Sequence, residues 1–435
     1  MAEAKGLIIS GPATGQGKTT LTLGLIAALR ARGLNVAALK VGPDFIDPGF
    51  HFAAGAAASF NLDHWGMRTG TRAALIAKAA AEADLVLVEG MMGLFDGALA
   101  GGGSTADIAA ETGWPVILAI DAAAQAQSIA ALAQGFQRFR ADVRAAGVVL
   151  MKVGGAPHRK LLADALAAAD IRVFGMVGRD PTLGLPERHL GLVQAREHKL
   201  HRVLDNIRAA IANGVDLDAL LAAAAPVCVS GAALAPPVPP LGRRIAVADD
   251  AAFAFAYEHL LAGWRAAGAE IARFSPLADE APPADCDGVF LPGGYPELHA
   301  QRLSTAQAFR QGMYAAAVRG AAVYGECGGY MALGDALIDA KGARHAMLGL
   351  LPVTTTFAQP ALHIGYRTLT MAVETPLGPA GARFRAHEFR YSSVTSEADT
   401  ERLFAVSDAD GTALAPAGLR RGTVFGSYLH VIDAA

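Results

Sequence analysis

Residues 7–20 constrain the fold more than any other stretch of this chain. A short apolar run, Leu7-Ile8-Ile9, leads into Gly11-Pro12-Ala13-Thr14-Gly15-Gln16-Gly17-Lys18-Thr19-Thr20, and an alanine/leucine helical pattern runs over 18–32 and stops before Gly33. Strand, glycine-rich loop and helix in that order make a phosphate loop, a device of mostly parallel sheets. Glycines let backbone N–H groups curl around phosphate oxygens, and the helix N-terminus adds its positive end. Lys18 neutralises terminal phosphate charge and the Thr19 hydroxyl is placed to ligate Mg²⁺. ATP is therefore assigned to Gly15, Gln16, Gly17, Lys18, Thr19 and Thr20. Five residues rather than the usual four separate Gly11 from Gly17, because Pro12 stands where the first glycine of the rule would be.

The rest of the chain supplies the sheet that such a loop requires. Strand-like runs at 36–40, 85–88, 116–120, 148–151 and 173–177 alternate with helical patterns, which predicts an α/β, doubly wound, mostly parallel architecture. The segment Ala235-Pro-Pro-Val-Pro-Pro240 interrupts it. The alternation restarts with a strand at 245–248, a helix over 253–266 and strands at 270–274 and 288–291, and the last third reads as richer in strand. We expect domains at 1–234 and 243–435, both doubly wound α/β, joined by a linker at 235–242. A length of 435 residues accommodates them.

Charge excludes some partners. Lys and Arg number 37 against 40 Asp and Glu, a net charge of −3, so the chain as a whole carries no basic footprint for nucleic acid. The longest uncharged stretch, 219–242, is broken by prolines, and no membrane partner is expected. Three scattered cysteines, Cys228, Cys286 and Cys327, form neither a disulfide framework nor a zinc pattern, which points to a reducing, cytoplasmic compartment.

Acidic partners for the nucleotide appear at strand ends. Strand 85–88 delivers Glu89, followed by Met91-Met92-Gly93-Leu94-Phe95-Asp96-Gly97, and the strand at 36–39 empties into Lys40-Val41-Gly42-Pro43-Asp44-Phe45-Ile46-Asp47-Pro48. Thr19, Glu89 and Asp44 are the candidate Mg²⁺ ligands, and Lys40, Asp44 and Asp96 the candidate catalytic groups. Lys40 reads as a clamp on transferred phosphate or substrate carboxylate. Asp47, before Pro48, reads as a loop cap.

A second chemistry lies in the C-terminal half. The strand-like Ala321-Ala322-Val323-Tyr324 runs into Gly325-Glu326-Cys327-Gly328-Gly329-Tyr330 and then a helical pattern, the elbow that exposes a nucleophile at a helix N-terminus. A thiolate attacking an amide needs oxyanion donors, for which Gly293 and Gly294 in Leu291-Pro-Gly-Gly-Tyr295 and the Gly328 N–H are candidates. The candidate bases are His345, His363, His387 and His430.

These motifs resemble two known families joined in one chain. The lengthened loop is similar to that of dethiobiotin synthetases. Lys-Val-Gly-Pro-Asp-Phe-Ile-Asp-Pro at 40–48, Glu-Gly-Met-Met-Gly-Leu-Phe-Asp-Gly at 89–97 and Arg-His-Leu-Gly-Leu at 188–192 resemble the cobyrinic acid a,c-diamide synthase family of cobalamin biosynthesis through nearly the whole chain. The second half resembles class I glutamine amidotransferases, and Gly-Ser-Tyr-Leu-His at 426–430 matches the segment carrying their catalytic histidine, which selects His430. Those enzymes commonly place a glutamate two residues later, where this chain has Ile432, so a Cys327–His430 pair is expected. Glu388 follows the family pattern as a substrate or domain contact, or as an ion pair with Arg390.

The resemblance implies a ligase: ATP activates the a- and c-acetate carboxylates of cobyrinic or hydrogenobyrinic acid, and ammonia from glutamine displaces phosphate, with the domains closing around a water-poor passage. Arg188 and His189, with Arg179, Arg196, His198, Lys199 and Arg202 nearby, would meet this corrinoid polycarboxylate. A homodimer is the expected assembly. Where the family often has Asn-Arg-Val, this chain reads Met151-Lys152-Val153, which implies looser purine selectivity. The alternatives are a related amidoligase acting on cobyric acid precursors or a nickel tetrapyrrole, and an ATP-driven switch of the partitioning type, whose signature lysine would fall at Ala13.

Overall fold

The computed structural model describes residues 4–185, 200–229, 234–398 and 400–435, and the backbone of 187–188 and 191–192. It divides into two compact units, residues 1–65 with 72–233 and residues 66–71 with 234–435.

The first unit is built on seven parallel strands: β1 (Lys5–Ser10), β2 (Val36–Val41), β3 (Ser59–Leu62), β4 (Leu85–Glu89), β5 (Val116–Asp121), β6 (Ala145–Val153) and β7 (Val173–Gly178). Their order is β3-β2-β4-β1-β5-β6-β7. Near-continuous burial of Leu7, Ile8 and Ile9, of Val36 to Leu39 and of Leu85 to Val88 is what a sheet covered on both faces demands. The order reverses beside β1, and α1 (Lys18–Ala31) starts from that strand's C-terminal end, the position where open α/β sheets bind ligands. A hairpin of β8 (Glu187–Arg188) and β9 (Gly191–Leu192) follows, and β10 (Ala225–Pro226) returns antiparallel to β1. The strand β3 was not expected from the sequence. Its four residues, Ser-Phe-Asn-Leu, mix polar and apolar side chains, yet all four are buried.

The second unit carries a ten-stranded sheet. Its parallel part holds β11 (Arg244–Ala248), β12 (Glu270–Phe274), β13 (Gly288–Leu291) and β14 (Ala322–Glu326), and takes in the later strand at Val424–Ser427, parallel to β14. Short strands β15 (Ala336–Ile338), β16 (Arg344–Ala346), β17 (Val353–Thr356) and β20 (Ser393–Glu397) make a separate four-stranded sheet. The remainder, β18 (His363–Met371), β19 (Arg383–Arg390), β21 (Glu401–Asp408), β22 (Ala413–Arg421), β23 (Val424–Ser427) and β24 (His430–Ala434), completes the large sheet in the order β12-β11-β13-β14-β23-β22-β21-β18-β19-β24.

Two expectations about this half need adjusting. The helix forecast over 253–266 begins only at Glu258, because Phe255 donates its N–H to Gly293 O at 2.9 Å and stays extended. The proline-rich stretch is packed rather than free. Val238 and Leu241 are buried, Trp264 Nε1 donates to Val238 O at 3.2 Å, and Ala434 N donates to Pro237 O at 3.1 Å.

Candidate functional site

In the first unit two glycines of the loop adopt backbone conformations reserved largely for glycine. Gly15 and Gly17 have φ of 81° and 89°, the left-handed region that side chains other than glycine's rarely tolerate, and Gly17 caps α1. Gln16 Oε1 accepts from Asp121 N at 2.9 Å, which ties the loop to the end of β5. Lys18 Nζ donates to Ala13 O at 2.8 Å and so closes the loop on itself. Burial, with Lys40 close by, lowers its ammonium pKa to about 8. Thr20 sits half-buried one residue into α1 beyond Thr19.

Beneath the loop lies a buried polar network. Thr19 Oγ1 donates to Glu89 Oε1 at 2.6 Å, and Lys40 Nζ donates to the same oxygen at 3.0 Å. The other oxygen, Glu89 Oε2, lies 2.9 Å from His51 Nε2, whose Nδ1 lies 3.0 Å from Ser59 Oγ. Lys40 also pairs with Asp47 at 2.5 Å. Burial works against the charge on Glu89, but Lys40, His51 and Thr19 outweigh it and hold this carboxyl well below the usual range. Asp47 moves the other way, its pKa pushed up by burial and by the charge of Glu89. Lys40 stays a cation, because Asp47 and Glu89 more than offset its burial.

Thr19, Glu89 and Lys40 are thus brought together as the sequence suggested, but Asp44 and Asp96 are partly occupied with loop geometry. Asp44 Oδ1 accepts from the N–H groups of Ile46 and Asp47 at 2.7 and 3.3 Å, and Asp96 Oδ2 accepts from Gly93 N at 2.8 Å. Asp47, taken as a loop cap, is instead the strongest partner of Lys40. His51 was not singled out by the sequence; it lies four residues after Asp47 on α2 (Asp47–Ala53), opened by Pro48, a spacing that puts the two on one helix face. Arg188 lies in β8, where only backbone is described, and His189 lies outside the described residues, as do Arg196, His198 and Lys199.

In the second unit β14 ends at Glu326, and Cys327 follows with φ 47° and ψ −104° before the helix Gly328–Leu333. This strained elbow points the thiol to a helix N-terminus. Cys327 is buried, and Sγ lies 3.9 Å from Phe389 O. His430, also buried, opens β24, and a Cβ placed on Gly293 would lie 2.5 Å from His430 Cε1 and 3.3 Å from both His430 Nε2 and Cys327 Cβ. Gly293, Cys327 and His430 therefore meet at one point. A Cβ on Gly328 would lie 2.9 Å from Gly294 N, so the two N–H groups proposed as oxyanion donors are neighbours.

The imidazole is tuned for a thiolate. Burial lowers the pKa of His430, but the charge of Cys327, its hydrogen bond and Glu326 outweigh that and raise it to about 9. Glu326 Oε2 lies 3.6 Å from His430 Nδ1. The other candidate bases are elsewhere or neutral: His345 pairs with Asp339, and burial with His430 and Arg367 drives His387 down to about 3. Cys228 is exposed and Cys286 is buried, with its thiol pKa pushed up by burial, so neither has the elbow setting.

Beside the elbow lies a cavity of about 350 Å³ lined by Tyr330, Arg367, Glu388, Arg390, Glu397 and Tyr428 among others. Glu388 is clamped by two guanidinium groups, Arg367 Nη2 at 2.8 Å and Arg390 Nε at 2.9 Å, and Arg390 stacks 4.2 Å over the Tyr428 ring. The Glu388–Arg390 pair was one of the sequence alternatives. Arg367 was not singled out, since a lone arginine in a strand carries no pattern.

Known proteins match both units. Residues 7–193 match the CobQ/CobB/MinD/ParA nucleotide binding domain and residues 244–435 the CobB/CobQ-like glutamine amidotransferase domain. The chain is 53% identical to a hydrogenobyrinate a,c-diamide synthase of Rhizobium meliloti over 98% of its own length and 99% of the relative's. It is 53% identical to that of Brucella suis, covering 99% of this chain and 98% of the relative, and 47% identical to that of Mesorhizobium japonicum, covering 99% of both. With both sites assembled from its own residues and this likeness running from end to end, the chain belongs to the hydrogenobyrinate a,c-diamide synthase family.

Proposed function

We propose that this protein amidates the a- and c-acetate carboxylates of hydrogenobyrinic acid, using ATP to activate each carboxylate and glutamine as the source of ammonia. The observation that carries this reading is the presence, in one chain, of a phosphate loop over a Thr19–Glu89–Lys40 network and a Cys327–His430 pair at a nucleophile elbow.

In the glutaminase half, Cys327 passes its proton to His430 Nε2, and the thiolate attacks the glutamine side-chain carbonyl carbon. The Gly294 and Gly328 N–H groups receive the developing oxyanion. His430 returns the proton to the departing nitrogen as ammonia leaves, and a water, deprotonated by His430, then releases glutamate from the thioester. The α-ammonium and α-carboxylate of glutamine fit the cavity beside the elbow, where Glu388, Arg367 and Arg390 supply both signs of charge.

In the ATP half, Lys18 and the loop N–H groups hold the phosphates. Thr19 Oγ1 and Glu89, oxygen donors 2.6 Å apart, would hold a Mg²⁺ ion, which would supply positive charge against the phosphates. Phosphoryl transfer from ATP to a substrate carboxylate gives acyl phosphate and ADP. Ammonia then attacks the acyl carbon and inorganic phosphate leaves, with the amide losing a proton. Lys40, held charged against Asp47 and Glu89, keeps this network fixed as charge moves above it. Asp44 and Asp96 act mainly by shaping the two loops that border the phosphates, and the corrinoid carboxylates are assigned to Arg188 and His189 on the motif at 188–192. A cytoplasmic homodimer remains the expected setting. Among the described residues no helix is long and apolar enough to cross a membrane.

The test uses hydrogenobyrinic acid, ATP and either glutamine or ammonium, with products read by mass. Cys327→Ser should abolish the glutamine-dependent reaction and keep the ammonium-dependent one, while Lys18→Ala should impair both. Equal loss of both nitrogen sources in the cysteine variant would defeat this division of labour, and turnover of cobalt-loaded acid alone would redirect the substrate.

A further inference from the structure

The residue two positions after His430 is Ile432, whose carbonyl accepts from His259 Nε2 at 2.9 Å, so nothing at that position orients the base. We propose that Glu326, the residue before the nucleophile, is the positioning residue for His430, holding a proton on Nδ1 and balancing the imidazolium that forms when Cys327 is deprotonated. The proposal rests on the Cys327–His430 reading above and adds its third member.

The geometry of Glu326 divides its two oxygens between two tasks. Oε1 accepts from Tyr324 Oη at 2.6 Å and from Val431 N at 3.1 Å, so one oxygen is locked by β14 itself and by the residue after the base. Oε2 then faces His430 Nδ1 at 3.6 Å, while the opposite ring nitrogen, Nε2, lies toward Gly293 and Cys327. Each imidazole nitrogen thus has one assigned neighbour. The distance to Oε2 is longer than a hydrogen bond, as catalytic contacts often are before a substrate tightens them.

Burial supplies the energetic reason. Glu326 is 1% exposed, and two neutral hydrogen bonds do not balance a carboxylate in such a place. Tyr324 remains a donor, because burial and Glu326 push its phenol far above the ordinary range. The cation that can answer Glu326 is the imidazolium of His430. Among the described residues, titratable groups close to that ring include Cys327, His387 opposite it on β19, Tyr257 with ring centroids 6.5 Å apart, and His259 near Ile432. His387 and His259, both driven down by burial, stay neutral and do not compete.

Glu326→Gln tests this. Its amide oxygen can still accept from Tyr324 and Val431, so the packing survives, but its NH₂ would face Nδ1. That favours the tautomer with the proton on Nε2, which cannot accept one from Cys327; a wrong tautomer in a comparable triad costs about 10⁴-fold. We expect kcat for glutamine hydrolysis to fall about 10³-fold with KM changed less than threefold and the ammonium-driven amidation retained. The pH midpoint for alkylation of Cys327 by iodoacetamide should rise by about one unit, a shift that loss of packing alone would not give. Glu326→Asp, which keeps the charge one methylene farther away, should lose only about tenfold. A Glu326→Gln enzyme with kcat within fivefold and an unshifted alkylation profile overturns the proposal. If Glu326→Gln does not accumulate as folded protein, Glu326→Asp decides alone, and full activity in it overturns the proposal. Retention of glutamine-dependent turnover by Cys327→Ser would instead overturn the reading on which it rests.

Discussion

Replacing Gly293 by alanine adds one methyl group at the point where nucleophile, base and oxyanion loop converge. The added Cβ would lie 2.5 Å from His430 Cε1 and 3.3 Å from Nε2 and from Cys327 Cβ. Carbon atoms pack comfortably at about 3.5 Å or more, so roughly 1 Å of movement must be found. The loop resists it, because Phe255 N–H is bonded to Gly293 O at 2.9 Å. The ring has little room either, being 1% exposed and set in register with His387 across β19 and β24. A displacement of about 1 Å in a catalytic group costs on the order of 10²-fold in rate. Gly293→Ala should therefore lower kcat for glutamine hydrolysis about 100-fold. Overpacking should cost the fold about 1–3 kcal/mol. Ammonium-driven amidation should persist, since the phosphate-loop network contains no atom of this site. The assay is glutamate release under saturating glutamine, run beside amidation with ammonium and a urea denaturation curve. Glutamine hydrolysis within threefold of the parent would refute the convergence of these three residues.

Further outcomes follow from the same contacts. Glu388→Ala leaves Arg367 and Arg390 facing each other in a partly buried cavity, and should raise KM for glutamine at least tenfold while destabilising the protein by about 3 kcal/mol; unchanged KM would remove the cavity from glutamine binding. Asp47→Ala takes the closest partner from buried Lys40 and should impair turnover with glutamine and with ammonium alike, which steady-state rates with both sources would reveal. A parent-like Asp47→Ala enzyme would return Asp47 to the role of loop cap. Met151 ends against Gly17 and offers no hydrogen-bonding group to a purine, so turnover with GTP should fall within about tenfold of that with ATP; strict ATP dependence would show that other groups read the base.

What the sequence made legible was set by how local each signal is. The phosphate loop and the elbow are contiguous, and each combines glycines with one reactive side chain, so residues 11–20 and 325–330 could be read without any partner. The strand 288–291 was equally plain, because Val289-Phe290-Leu291 is an apolar run bounded by Asp287 and by Pro292-Gly293. Residues whose function depends on distant partners were not legible. Asp47 looked like a turn residue because its partner Lys40 lies on β2 and the charge that shapes both, Glu89, lies on β4. Arg367 gains meaning only when β18 and β19 pair and bring it to Glu388. Glu326 is the sharpest instance, since it stands beside the nucleophile in sequence yet its neighbours Val431 and His430 come from the far end of the chain. A search for the third member of the triad by spacing looks after the histidine and finds isoleucine. Only in the folded chain do Val431 and His430 of β24 meet Glu326 at the end of β14, so the identity of that member belongs to the tertiary structure.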